Sequence, residues 1–295
     1  MFTRSTLLHL RIPFSLLLMP VYVFALGLSP NLNESRLLWS FLIIHLFLYP
    51  ASNAYNSYFD KDESSIGLLK NPPPVKKELY WTALLFDGIA IVLGLIIVNI
   101  SFAVLLFSYG LVSKAYSHPS IRLKKYPIIG WLTAGFFQGF FTFMMSYIGI
   151  NQFGFENLWR EPIWIAALLT SLMLWASYPM TQVYQHEEDK KHGDKTMSRL
   201  LGIRGTFFFA MFFFALSAIA FVVYFSVYSE TRYAYGFVIC LVPIILFFLY
   251  WFGLIWKDET QANYSNTMRL NFISALCLNG FFIWFFLETS HVLQR

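Results

Sequence analysis

The chain has 295 residues, of which 57% are hydrophobic and 13% charged, against about 25% charged in a typical soluble domain. With a mean hydropathy of +0.57 it does not have the polar residues to clothe a water-facing surface. The net charge of +5 is spread between apolar runs and forms no solvated basic patch, so a nucleic-acid partner is excluded.

A membrane-spanning helix needs about 20 mostly apolar residues. Taken in chain order, the qualifying runs are approximately 10–28, 37–57, 79–98, 99–116, 127–149, 162–184, 206–228, 234–256 and 269–289. The first carries Pro13 and Pro20 and is expected to be kinked. Read alone it could pass for a signal peptide, but the spans that follow favour an uncleaved first helix. The third and fourth runs meet at a very short turn near Asn99. Cys240 and Cys277 each lie inside an apolar run, without metal-ligand spacing and with no sign of a disulfide framework. The predicted fold is a single all-α domain over residues 1–295, a polytopic transmembrane bundle of about nine spans.

Of the 21 Lys and Arg residues, 17 fall at the N-terminus and in the loops near 58–78, 114–126, 185–205 and 257–269. The other side holds four, Arg36, Arg160, Arg232 and Arg295. The positive-inside rule then predicts the N-terminus inside and the C-terminus outside, with a bacterial cytoplasmic membrane as the expected location.

The acidic residues concentrate on the same inner side. Asp60, Asp62 and Glu63 stand at the inner end of the second span, and Glu187, Glu188 and Asp189 at the inner end of the sixth. Asn56, Asp60 and Glu63 are spaced i, i+4, i+7, which puts all three on one face of a helix, with Ser64 beside them. Gln182, Gln185 or His186, and Asp189 repeat the arrangement. Asn53, Asn56, Gln182 and Gln185 extend the polar stripe back towards the apolar run, where unpaired polar groups are expensive. Two such faces turned towards each other make an oxygen-lined site suited to Mg²⁺, which favours a few carboxylates, waters and substrate phosphates. The nearby lysines suit the accompanying anion.

At these residues the chain resembles the UbiA superfamily of intramembrane prenyltransferases. Asn56-Ser-Tyr-Phe-Asp60-Lys-Asp-Glu-Ser64 matches the first two positions of the family's Asn-x-x-x-Asp-x-x-x-Asp motif, with Ser64 in place of the last aspartate. Gln185-His-Glu-Glu-Asp189-Lys-Lys-His-Gly193-Asp-Lys-Thr196 matches the second motif, Asp-x-x-x-Asp-x-x-x-Gly-x-x-Thr, except for Gln185 at its first position. Tyr116-Ser-His-Pro-Ser-Ile-Arg122-Leu-Lys124 looks like the family's segment between the fourth and fifth helices. The resemblance implies Mg²⁺-dependent transfer of a prenyl group from an isoprenyl diphosphate to an aromatic or lipid acceptor in the bilayer. It implies catalytic roles for Asp60, Asp189 and Asn56, and a metal set of Asn56, Asp60, Glu63, Gln185, Glu188 and Asp189, in which Glu63 and Glu188 substitute for the missing aspartates. Lys61, Arg122, Lys124 and Arg11 are the expected diphosphate partners. Asp87, Tyr116, Tyr184 and Gln182 are expected at the acceptor or tunnel.

Asp87 stands out because it lies about 13 Å into the third span at 1.5 Å per residue, where an ionisable group marks a functional site by default. Tyr55, Tyr58, Phe59 and Tyr184 either shield a carbocation or form an interfacial belt. Pro72-Pro73-Pro74 is either a lid over the diphosphate or a stiff connector, and His118 and His186 are polar neighbours, not a metal pair. Two other readings stay open. One is a catalytically weakened relative that binds a prenyl lipid, because Ser64 and Gln185 depart from the motifs. The other is a transporter, although carriers place their ionisable residues near the midplane.

Overall fold

The computed structural model describes residues 3–290. Among these, nine helices are long and apolar enough to span a bilayer. They are α1 (Arg4–Gly27), α2 (Glu34–Asp60), α3 (Glu78–Val98), α4 (Ile100–Ser117), α5 (Pro127–Asn151), α6 (Glu161–Thr181), α7 (Met197–Tyr228), α8 (Thr231–Lys257) and α9 (Tyr264–Ser290). Each helix packs on its neighbour in sequence, and α9 returns to pack along α1, closing a ring. The last predicted residue of interest at the C-terminus, Arg295, lies outside the described residues.

The local breaks have identifiable causes. In α1 the helix is interrupted at Arg11, which is left-handed (φ 46°), and Pro13 starts the next helical turn. Pro20 then follows a 3-10 turn at Leu16–Leu18, so the expected kink is distributed over both prolines. Asn99 makes the turn between α3 and α4, its side-chain oxygen accepting from Phe102 N at 2.8 Å as a helix cap. α7 begins nine residues earlier than the sequence suggested, because it starts at Met197 and bends at Gly202, whose φ of 70° only glycine adopts cheaply.

Within α5, Phe137–Phe141 is a π-helical turn. The Phe140 N–H donates to Ser171 Oγ of α6 at 2.9 Å, and that hydroxyl donates to Gly135 O at 2.9 Å. The exchange requires close backbones, and a Cβ on Gly139 would sit 2.5 Å from Ser171 N and Cα.

The outer half of the bundle is solid. Phe24 of α1 is fully buried and its ring meets Phe143, Phe221, Tyr224, Phe225, Phe282 and Phe285 within 6.3 Å. Above this layer Asn151 ties the outer loops together. Its Oδ1 accepts from Asn31 N (2.9 Å), and its Nδ2 donates to Ser29 Oγ (2.9 Å) and Tyr147 O (2.8 Å). Removing three such bonds at about 1 kcal/mol each leads us to expect Asn151→Ala to lose about 2–4 kcal/mol. A drop in the apparent Tm in detergent, without loss of ligand affinity, checks this.

Candidate active site at the inner mouth

The inner half of the bundle is hollow. A cavity of about 210 Å³ opens between the inner ends of α1, α2, α4, α5, α6 and α9. Its charged lining residues, Arg11, Asp60, Asp62, Lys124 and Asp189, come from loops and helix ends.

The geometry at the tip of α2 follows from one backbone feature. Lys61 is left-handed (φ 52°) and its N–H closes the helix on Ser57 O at 3.0 Å. The chain therefore reverses after Asp60 and the helical face does not continue. Asp62 turns into the cavity, whereas Glu63 is exposed and off the cavity lining. Of the two acids, Asp62 and not the expected Glu63 lines the cavity. Lys61 is exposed and does not line the cavity either, against its expected place at the diphosphate. The Glu63 N–H donates to Glu188 Oε1 at 3.3 Å, which joins the two acidic clusters directly.

The second cluster sits on its own short helix, His186–Lys191, because α6 ends in a 3-10 turn around Pro179. From there Asp189 reaches the cavity, and its Oδ2 accepts from Thr196 Oγ1 at 2.9 Å. Gln185 and Gln182 line the cavity as expected, and Gln182 Oε1 also accepts from Ser198 N at 3.2 Å. Glu188 is buried beside the cavity wall, with oxygens of Asp62 and Glu188 and a nitrogen of His192 all within 4.8 Å of one another. His186 instead bonds Ser198 Oγ at 2.7 Å.

The loop after α4 supplies the cations. Lys124 Nζ pairs with Asp60 Oδ2 and lies 3.4 Å from Asp194 Oδ2. Arg122, left-handed at φ 46°, forks onto Asp194 through Nε (2.7 Å) and a terminal nitrogen (2.8 Å), and lies 3.2 Å from Asp60 Oδ1. Lys124 lines the cavity but Arg122 stands behind it, so the expected direct diphosphate contact of Arg122 is replaced by a grip on the two aspartates. Asn56 Nδ2 donates to Asp60 Oδ2 (2.7 Å) and Ser117 Oγ (3.1 Å). Arg11 lines the cavity, donates to Asn53 O at 3.3 Å, and its Nε has no partner. Tyr184 and Tyr116 also line it, the latter sharing a hydrogen bond with Tyr178 Oη.

Asp87 is elsewhere. It pairs with Lys114 of α4, away from the cavity lining, and Lys114 also lies 5.1 Å above the Tyr55 ring. It was expected at the acceptor or tunnel; it does not line the cavity and forms an ion pair between helices. The Pro72–Pro74 segment is a connector: Pro74 O accepts from Ser5 Oγ and Pro73 O from His9 Nε2, each at 2.8 Å. Asp62, His192 and Asp194 were missed as site residues. Two of them had a sequence signal: Asp62 lies in the acidic cluster after the second span, and Asp194 lies between Gly193 and Thr196 of the second motif.

Among the described residues Asp62 and Asp189 have no ion-pair partner. Burial, then the nearby Asp60 charge, pushes Asp62 up to about 6. Burial also pushes Asp189 up to about 6, against the hydrogen bond from Thr196 and the charge of Lys124. Two oxygen donors that resist ionising together suit a hard divalent cation. The sign of the pH dependence follows. Both values lie above the ordinary 3.8, so ionisation weakens the cation-free fold above pH 6, and the loss is relieved as pH falls towards 4. We expect Mg²⁺ to raise the Tm at pH 7.5 and to lose that effect as pH falls through about 6; thermal melts across pH check it.

Together these features describe an intramembrane protein with acidic and basic side chains gathered at the mouth of a partly apolar chamber. Residues 17–276 match the UbiA prenyltransferase family, and the chain belongs to that family. It is 28% identical over 173 residues to the digeranylgeranylglyceryl phosphate synthase of Methanothrix thermoacetophila, a stretch covering 56% of this chain and 59% of that protein. The fold is that of a UbiA homologue from Archaeoglobus fulgidus bound to DMAPP and Mg²⁺, with a TM-score of 0.70 and 17% identity over 98% of this chain and 99% of that one. It is equally that of a UbiA homologue from Aeropyrum pernix, with a TM-score of 0.71 and 18% identity over 92% of this chain and 98% of that one.

Proposed function

We propose that this protein transfers a prenyl group from an isoprenyl diphosphate to a membrane-soluble aromatic or lipid acceptor, with Mg²⁺ as cofactor. The observation that carries the reading is the pair of carboxylates without an ion-pair partner, Asp62 and Asp189, which line one cavity with Lys124 and Arg11. Asp60, Asp62 and Asp189, with Asn56 beside them, are the oxygen donors that would hold the ion. When bound, Mg²⁺ supplies positive charge against the diphosphate oxygens.

The chain's own groups do the rest. Lys124 and Arg11 bind the diphosphate as a point charge and a planar fork. Arg122 and Asn56 keep the Asp60 carboxylate aimed into the cavity. The allylic C1–O bond breaks with its electron pair leaving on the diphosphate. The acceptor's nucleophilic atom then donates a pair to C1 and releases its proton. Below the mouth, the cavity wall includes Tyr109, Val112, Ala134 and Phe137, which limits water at the cation.

The Lys and Arg asymmetry supports a cytoplasmic mouth, an N-terminus inside and a C-terminus outside. Asp62 weighs against a silent relative, because it fills the gap left at Ser64. The aromatic packing of the outer half weighs against a transporter, and the charged residues that line the cavity all come from loops and helix ends on one side. The test is purified protein with Mg²⁺, membrane lipid extract and labelled dimethylallyl, geranyl or geranylgeranyl diphosphate. Diphosphate release with a labelled lipid product is expected; no release with any of the three donors would overturn the reading.

A further inference from the structure

Asp87 of α3 and Lys114 of α4 form an ion pair inside the spanning segments and away from the cavity lining. Their side chains are only 12% and 17% exposed, and Asp87 lies about 13 Å from the inner end of its helix. Lys114 stands one turn from the inner end of α4 at Ser117, where a lysine ordinarily snorkels to the headgroups. Here its charge goes to Asp87 instead. Taking two charges out of water is expensive, and a packed apolar pair of similar volume is often as stable or more so. Stability is therefore not what this pair supplies.

Its neighbours show what it does supply. Lys114 Nζ also lies 5.1 Å above the ring of Tyr55 in α2, so one side chain meets two other helices. On the same stretch of α4, Ser113 Oγ donates to Ser52 Oγ of α2 at 2.7 Å, and Ser117 Oγ accepts from Asn56 Nδ2 at 3.1 Å. Asn56 in turn donates to Asp60 Oδ2 at 2.7 Å. The chain beyond Ser117 leads straight to Arg122 and Lys124, the two cations on Asp60. The exposed side of α4 carries Val104, Phe107 and Leu111, which make no directional contact. A slip of α4 by one residue is a translation of about 1.5 Å. That is enough to take Ser117 out of hydrogen-bond range of Asn56 and to displace the base of the loop that carries Arg122 and Lys124.

We propose that Asp87 and Lys114 are positioning residues that set the axial register of α4 against α2 and α3, and through it the placement of Asn56, Arg122 and Lys124 around Asp60. An apolar seam tolerates several registers, whereas Nζ meets the carboxylate and the Tyr55 ring together only over a narrow range. Fixing register is the best-attested use of a buried polar contact between helices. Neither residue touches the reacting groups, yet a misplacement of about 1 Å at a preorganised site costs up to about 10²-fold in rate. The effect on turnover rests on the prenyl-transfer reading; the effect on register does not.

The experiment reads register and turnover separately on the full chain. For register, Cys240 and Cys277 are replaced by alanine, and Ser52→Cys with Ser113→Cys puts two thiols where the hydroxyls now touch. The rate of disulfide formation with copper phenanthroline then reports how α4 sits on α2. Adding Asp87→Leu with Lys114→Met is expected to slow that rate by about fivefold or more, with the Tm held within about 2 °C. Without the added thiols, the same neutral pair is expected to lower turnover of labelled isoprenyl diphosphate by about 10–100-fold. The exchanged pair, Asp87→Lys with Lys114→Asp, is expected to recover both readouts to within about threefold. An unchanged cross-linking rate in the neutral pair, or full turnover despite a slowed rate, overturns the proposal. So does a neutral pair whose Tm and turnover fall together, which marks an ordinary structural contact, and so does an exchanged pair that keeps the wild-type Tm and stays impaired. Slowed cross-linking in a protein whose wild type releases no diphosphate keeps the register role and removes the transfer reading instead.

Discussion

Asp60→Asn should reduce turnover of labelled isoprenyl diphosphate by on the order of 10³-fold, the scale seen when one preorganised charge-stabilising group is lost. Asp60 is the hub of the mouth. It is 3% exposed and takes Lys124, Arg122 and Asn56 at once. The amide keeps the shape and loses the charge, so it removes a ligand for the cation and frees two buried cations from their partner. Asp60→Ala should add a stability loss of about 3–5 kcal/mol, because it empties the space and leaves Lys124 and Arg122 to share Asp194 alone. Turnover and Tm measured on both variants separate the effects. Full activity in the asparagine variant, at an unchanged Mg²⁺ requirement, would show that the ion is held elsewhere.

The second expected result sets neighbouring acids against each other. Asp62→Ala should cost on the order of 10²-fold in activity or in Mg²⁺ affinity, whereas Glu63→Ala should stay within about twofold. Asp62 lines the cavity without a cation partner, and Glu63 is exposed and engages Glu188 only through its backbone N–H. Steady-state rates over a Mg²⁺ titration decide it. The reverse ranking would mean that the loop after α2 rearranges when substrate arrives.

That pair also marks how far sequence reasoning reaches in this protein. The spans were legible because bilayer thickness sets a length and lipid sets a composition, and Asn99 was legible as a turn because an asparagine between two apolar runs is a ready helix cap. Asn56, Asp60, Gln182, Gln185, Asp189, Lys124, Arg11, Tyr116 and Tyr184 all reach one cavity. Glu63 was misplaced by extending helical spacing through Lys61, where a lysine gives no sign of its left-handed φ of 52°. Asp87 was misread for a different reason. Depth in the membrane announced that it needed a partner, but whether that partner is a substrate or Lys114 depends on how α3 and α4 face each other, which spacing along one strand of sequence does not record. Arg122 was expected on the diphosphate and instead forks onto Asp194, because a fork that fits phosphate fits a carboxylate equally well.

The solid aromatic layer around Phe24 has an electrical consequence. A chamber with charged groups at its inner mouth leaves the outer half of the bundle as insulation against the membrane potential. Each elementary charge crossing 100 mV releases about 2.3 kcal/mol, so even a thin file of water through the remaining half would short-circuit the cell's proton gradient. The rings of Phe24, Phe143, Phe221, Phe225, Phe282 and Phe285, all buried and packed on one another, put hydrocarbon in that half, between the charged mouth and the opposite face.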